Sequence, residues 1–138
     1  MVSDNNVELN SITPENAGDL LFMIKELAEF EKMPEQVEIN PETLAKDIKN
    51  GTVYGFIAKS GATPVGMTLC YTAYSTWQGK FLHMEDLYVR PQFRRKGIGS
   101  LLWRAVGKFA QQRGMKRIQW NVLDWNKSAI KFYERVGF

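Results

Sequence analysis

Apolar and polar residues alternate from Val7 to Ile12, the period of a half-buried strand. The period then lengthens. Thr13-Pro14 offers a capping hydroxyl and a proline at a first helical position, and Leu20, Phe22, Met23, Ile24, Leu27 and Phe30 form an apolar face that runs to Lys32. Met33-Pro34 breaks this helix. Asn40-Pro41 repeats the start signal, with Leu44, Ala45 and Ile48 inward and Asn50-Gly51 as the stop. Val53–Lys59 and Val65–Tyr74 are rich in strand formers, and the short loop Ser60–Thr63 between them predicts an antiparallel hairpin. Ser75–Gly79 leads into another strand, Phe81–Val89, which Pro91 ends because proline cannot donate to a ladder. Helical spacing returns at Ile98 with Leu101, Leu102, Ala105, Val106, Phe109 and Ala110, and Gly114 stops it. Ile118–Leu123 reads as a strand, and Asp124-Trp125-Asn126 leads into a last helix carrying Ala129, Ile130, Phe132, Tyr133 and Val136.

The order β-α-α-β-β-β-α-β-α predicts a mixed α/β (α+β) sheet with helices on its faces. The middle strands should be antiparallel hairpins, and the unit around the helix from Ile98 a right-handed parallel crossover. No repeat or linker divides the 138 residues, so one domain, 1–138, is expected. No apolar run is long enough for a membrane span, and MVSDNNVELN lacks the features of a signal peptide. Cys70 is alone, which excludes an internal disulfide framework and points to a reducing, cytoplasmic setting; its apolar run predicts a buried, inert thiol. A single histidine and a single cysteine cannot build a Cys/His zinc site, so no metal is expected. Much of the net charge of +3 lies in Arg90, Arg94, Arg95 and Lys96. These cations do not extend into a stripe with stacking aromatics, which argues against a nucleic-acid face and leaves a compact polyanion as their partner.

Three stretches carry candidate chemistry. Arg94-Arg95-Lys96-Gly97-Ile98-Gly99 follows a strand and opens a helix, so free amides, the positive end of the helix dipole and three cationic side chains meet there as an anion site. It is not a Walker A loop, since no Lys-Ser or Lys-Thr follows a suitably spaced glycine. Nor is it a dinucleotide fingerprint, since Leu102 stands where the third glycine belongs. What remains is R-x-x-G-x-G. Just before it, Glu85 and Asp86 sit in a strand, where acids are disfavoured. As neighbours they should face opposite ways unless a bulge intervenes. The third stretch is Asn126–Tyr133: Asn126 suits a helix cap, and Tyr133, two turns on, projects from nearly the same side.

Arg94–Gly99 and Asn126–Tyr133 together resemble the two motifs of the GNAT superfamily of N-acetyltransferases, over about Val7 to the last residue. LAEFEKM at 27–33, STWQGK at 75–80, MEDLYV at 84–89 and VLDWN at 122–126 resemble its spermidine/spermine N1-acetyltransferase branch, and within that the thialysine Nε-acetyltransferases. The polyamine enzymes carry Asp-Pro where this chain has Ser75-Thr76 before Trp77, a lost carboxylate that weakens a polyamine preference. The resemblance implies acetyl transfer from acetyl-CoA to a small amine, with the polyamine/diamine enzymes as the alternative and a non-catalytic acyl-CoA sensor as the rival class. It implies that backbone groups of Leu87, Tyr88 and Val89 pair with the pantetheine arm, and that amides of Arg95, Lys96, Gly97, Ile98, Gly99 and Ser100 hold the diphosphate with Arg94 nearby. Asn126, Lys127, Ser128 and Ala129 then meet the cofactor's far side. Glu85 is the implied base, Tyr133 the implied proton donor to the thiolate, and the Leu87 amide the implied oxyanion donor. Phe30, Glu31 and Trp77, with Glu85 and Asp86, would line the amine pocket. The family fold usually continues with two further strands beyond Phe138, which are expected to be missing here, and a homodimer is expected.

Overall fold

The structure is a computed structural model and describes residues 6–120. Among these described residues five strands lie in the order β1 (Val7–Ser11), β2 (Tyr54–Ser60), β3 (Thr63–Ser75), β4 (Gly79–Val89) and β5 (Ile118–Trp120). Neighbours pair antiparallel except β4 with β5, which is parallel. The mixed sheet is therefore as expected, with the helix α3 (Ile98–Gln112) between the two parallel strands. The predicted last helix and the end of the strand before it lie outside the described residues.

Two helices, α1 (Ala17–Phe30) and α2 (Pro41–Lys49), cover one face. Their Leu20, Leu21, Met23, Leu44 and Ile48 bury against Ile57, Met67, Leu69 and Tyr88 of the sheet. On the other face α3 presents Ile98, Leu102, Trp103, Val106 and Ala110 to Ala58, Val65, Cys70, Leu82 and Met84. Gly66 permits the close approach of α3, since a Cβ there would stand 3.2 Å from Leu102 Cδ1 and 3.4 Å from Ile98 Cγ2.

The cap-then-proline reading holds for α2, where Asn40 Oδ1 accepts from the Thr43 N–H at 2.8 Å. It fails in detail for α1. The Thr13 N–H donates to Asn16 Oδ1 at 2.8 Å, Pro14–Asn16 form a tight 3₁₀ turn, and the α-helix starts only at Ala17. It ends at Phe30 rather than Lys32, which takes a positive φ of 62°. Strands β2 and β3 run closer to their turn than predicted, because Gly61 (φ 62°) allows a two-residue hairpin.

Candidate active site

The ladder between β3 and β4 slips once: Leu69 faces Asp86, but Cys70 faces Met84, so Glu85 is an extra residue. Met84 and Leu87 accordingly both pack on the α3 side. Glu85 and Asp86 therefore both point to the α1 side, with Tyr88. This bulge overturns the simple alternation that would have separated the two carboxylates. Glu31, the residue capping the end of α1, joins them from above.

The three acids are unequally placed. The Glu85 side chain is 61% exposed. Asp86 is half-buried, and its carboxyl is pushed up from 3.8 to about 7, by burial first and then by the charges of Glu85 and Glu31. The Glu31 carboxyl is also raised, by burial and then by Glu85. Such a group attracts a cation and can take a proton from it. Beside it stands a residue that the sequence reading passed over. His83 is buried, its Nε2 lies 3.3 Å from Glu85 Oε1, and its ring stacks 4.8 Å from that of Tyr71. The signal was present: two positions apart in a strand, His83 and Glu85 share a face.

The basic turn follows directly. Arg95 (φ 65°) and Gly97 (φ 82°) both take left-handed backbone, and Gly97 caps α3. Left-handed residues alternating with others turn successive N–H groups inward as an anion nest. The first amides of α3, from Ile98 to Ser100, have no intrahelical acceptor, since the first long bond is Leu101 N–H to Gly97 O at 3.1 Å. A left-handed arginine is strained by roughly 1 kcal/mol or more, the kind of strain found at ligand loops. These features fit a diphosphate. Arg95 is exposed and Lys96 half-buried above the turn.

Arg94 has a more structural place than expected. Its Nε donates to Val89 O at 2.9 Å, and its guanidinium lies over the rings of Phe30 (5.0 Å) and Tyr88 (5.7 Å). Phe30 thus serves the floor of the turn, joining α1 to the end of β4. The Tyr88 hydroxyl donates to Glu26 Oε1 at 2.7 Å. Leu87, Tyr88 and Val89 lie past the last β4–β5 pair, Met84 with Trp120, among the described residues.

Trp77 is not brought to this group by its own chain. It is 95% exposed beyond the opposite end of β4, on a cleft of about 500 Å³ with Gln78, Lys116 and Arg117. At a rise of about 3.4 Å per residue, Asp86 is roughly 20 Å further along the strand. Asn126, Lys127, Ser128, Ala129 and Tyr133 lie outside the described residues.

Residues 21–138 match the model of the acetyltransferase (GNAT) family. A thialysine N-epsilon-acetyltransferase of Caenorhabditis elegans is 53% identical over 133 residues, covering 96% of this chain and 83% of that protein. The human spermidine/spermine N(1)-acetyltransferase-like protein 1 is 32% identical over 133 residues, 88% of this chain but 19% of its own length. An aminoglycoside acetyltransferase from an uncultured soil metagenomic sample, solved with trehalose, superposes with a TM-score of 0.86 at 20% identity, over 98% of this chain and 90% of that one; it speaks to the fold alone.

Proposed function

The chain belongs to the acetyltransferase (GNAT) family, and from that premise we propose that it transfers an acetyl group from acetyl-CoA to the primary amine of a lysine-like amino acid such as thialysine. One observation carries the reading: the bulge at Glu85 gathers Glu31, Glu85 and Asp86 into a cation-seeking group within a few residues of an anion nest. An ammonium and a diphosphate can thus be held by the two ends of one short stretch of chain.

Ammonium of this kind has a pKa of about 10.4 and must lose a proton before it can attack. Asp86 and Glu31 hold the cation; Glu85, exposed and on the same face, takes its proton through a water. Amides of Arg95 to Ser100 hold the diphosphate, and the Leu87 amide supports the negative charge that develops at the carbonyl. Acetyl-CoA supplies the activated acetyl group. By the family resemblance Tyr133 would give a proton to the departing sulfur and Asn126 to Ala129 would meet the cofactor's far side; all of them lie outside the described residues. Cys70 takes no part, since burial pushes its thiol up to about 12; it fits a cytoplasmic setting. Two copies of the chain belong to the proposal, supported by Tyr74 (72% exposed) and Trp77 on the β3–β4 hairpin.

The second reading is a polyamine or diamine acetyltransferase, favoured by the human relative and by an acidic group able to hold a second ammonium. Titration of coenzyme A in a calorimeter, followed by kcat/KM for thialysine, lysine, spermidine and putrescine, tests both. Uptake of coenzyme A with thialysine preferred is expected. No uptake overturns the reading, and a preference for spermidine moves it to the second.

A further inference from the structure

We infer that Arg117 receives the α-carboxylate of the substrate, and that this contact makes the site prefer a lysine-like amino acid to a diamine. The inference rests on the amine-acetylation reading above and adds a second anchor for the same substrate. Arg117 stands at the entry to β5, where its carbonyl accepts from the Leu82 N–H at 3.0 Å. Its guanidinium carbon lies 4.0 Å from the centroid of the Phe81 ring, and Nη1 donates to Gln78 Oε1 at 3.0 Å. The residue is exposed, and among the described residues no carboxylate pairs with it. A guanidinium carries five N–H donors in a fork, so one bond to an amide oxygen leaves donors open for a carboxylate.

The sheet sets this cation and the acids on one face at a fixed spacing. Leu82 and Met84 pack toward α3, so Phe81 and His83 face the α1 side, with Glu85 and Asp86. Phe81 pairs with Ala73 and Asp86 with Leu69, a separation of four residues along β3, or about 13 Å at about 3.4 Å per residue. The six bonds from the side-chain nitrogen of lysine or thialysine to its carboxyl carbon extend to about 7.5 Å. A charge-assisted contact of about 2.8 Å at each end brings that span to about 13 Å. An ammonium held by Asp86 and Glu31 therefore leaves the carboxylate at Arg117. The stem between them crosses the exposed Tyr71 ring, which stacks on His83 on the same face. A diamine of similar length would instead point its second ammonium at the guanidinium, and this repulsion selects against it.

The test compares thialysine with its carboxamide, which keeps the length and loses the anion, in the parent chain and in Arg117→Gln. In the parent, kcat/KM should be about ten- to a hundred-fold lower for the amide, the loss expected of one hydrogen-bonded charge contact. Arg117→Gln should lower kcat/KM for thialysine by a similar factor, through KM. It should leave the amide and KM for acetyl-CoA unchanged, so that the two substrates become nearly equal. Arg117→Lys keeps the charge without the fork and should fall between. Lys116→Gln removes the adjacent exposed cation and should keep the full preference for thialysine. A folded Arg117→Gln that retains the parent's preference overturns the inference and leaves the amine reading intact. An equal loss in Lys116→Gln overturns it as well, since the effect is then one of general surface charge. Should Arg117→Gln not fold, the parent alone decides: equal rates for thialysine and its amide overturn the inference. Failure of the parent to acetylate any amine overturns the amine reading, and the role of Arg117 with it.

Discussion

A carboxyl group that sits in a strand and half out of water carries its history in its titration. Asp86 moves from 3.8 to about 7 on folding, because burial and the charges of Glu85 and Glu31 all disfavour its anion. Between those values the folded chain holds a proton that the unfolded chain has released. The contribution of Asp86 to stability is therefore greatest below about pH 4, falls as pH rises to about 7, and then levels off. Asp86→Asn cannot ionise. Its unfolding free energy in urea should approach the parent's at pH 4 and exceed it above pH 7, by roughly 1–3 kcal/mol after allowing for screening by water. A difference that stays constant from pH 4 to 8 would show that Asp86 is not strained in this way. Bound ammonium should reverse the effect, since a cation beside Asp86 draws its proton off; amine uptake at pH 6 should release protons to the buffer.

The strand that carries these acids owes its arrangement to one surplus residue. Leu82, Met84, Leu87 and Val89 all pack toward α3, which a regular two-residue period cannot deliver. Deleting Glu85 would place Asp86 directly after Met84 and leave every later side chain on its present face. Deleting Leu82 would instead turn over the residues on one side of the gap. The Glu85 deletion should fold cooperatively in urea and lose acetyl transfer, whereas the Leu82 deletion should not fold; two equally unfolded proteins would contradict the register. The bulge also marks where sequence reasoning ran out. Alternation, proline and glycine located every described strand and α-helix to within a few residues, because those signals are local. The basic turn was legible for the same reason. The meeting of Glu31 with Glu85 and Asp86 depends on a slip of register between β3 and β4, which no single strand encodes. Arg94 was expected near the diphosphate; the contacts that fix its side chain, Val89 O and the rings of Phe30 and Tyr88, come from separate elements and so could not be read from the turn alone.

Across the whole molecule, the two functional ends are held at a fixed spacing by one part-buried knot. Glu26 of α1 accepts from the Tyr88 hydroxyl at 2.7 Å and from Arg90 Nε at 3.2 Å. Arg90 also donates to Pro64 O at 3.2 Å, and its guanidinium lies 5.0 Å over the Phe22 ring. One carboxylate thus ties α1 to the end of β4 and, through Arg90, to the start of β3. The Glu26 and Arg90 side chains are 27% and 16% exposed, so neither can turn to water cheaply if the other is lost. The pair Lys59–Asp19, at 3.5 Å and 29% and 45% exposed, is the natural control. Surface pairs of that kind contribute about 0–1 kcal/mol. Glu26→Ala should therefore cost roughly 2–4 kcal/mol in urea unfolding, against less than about 1 for Asp19→Ala. Because Tyr88 is also the floor on which Arg94 lies, the same change should weaken coenzyme A binding measured by calorimetry, although Glu26 does not reach the turn. Asp19→Ala should leave that affinity alone. Equal losses of stability in the two variants would reduce the Glu26 knot to an ordinary surface ion pair. A large loss of stability with unchanged coenzyme A affinity would mean that the turn is set by α3 alone.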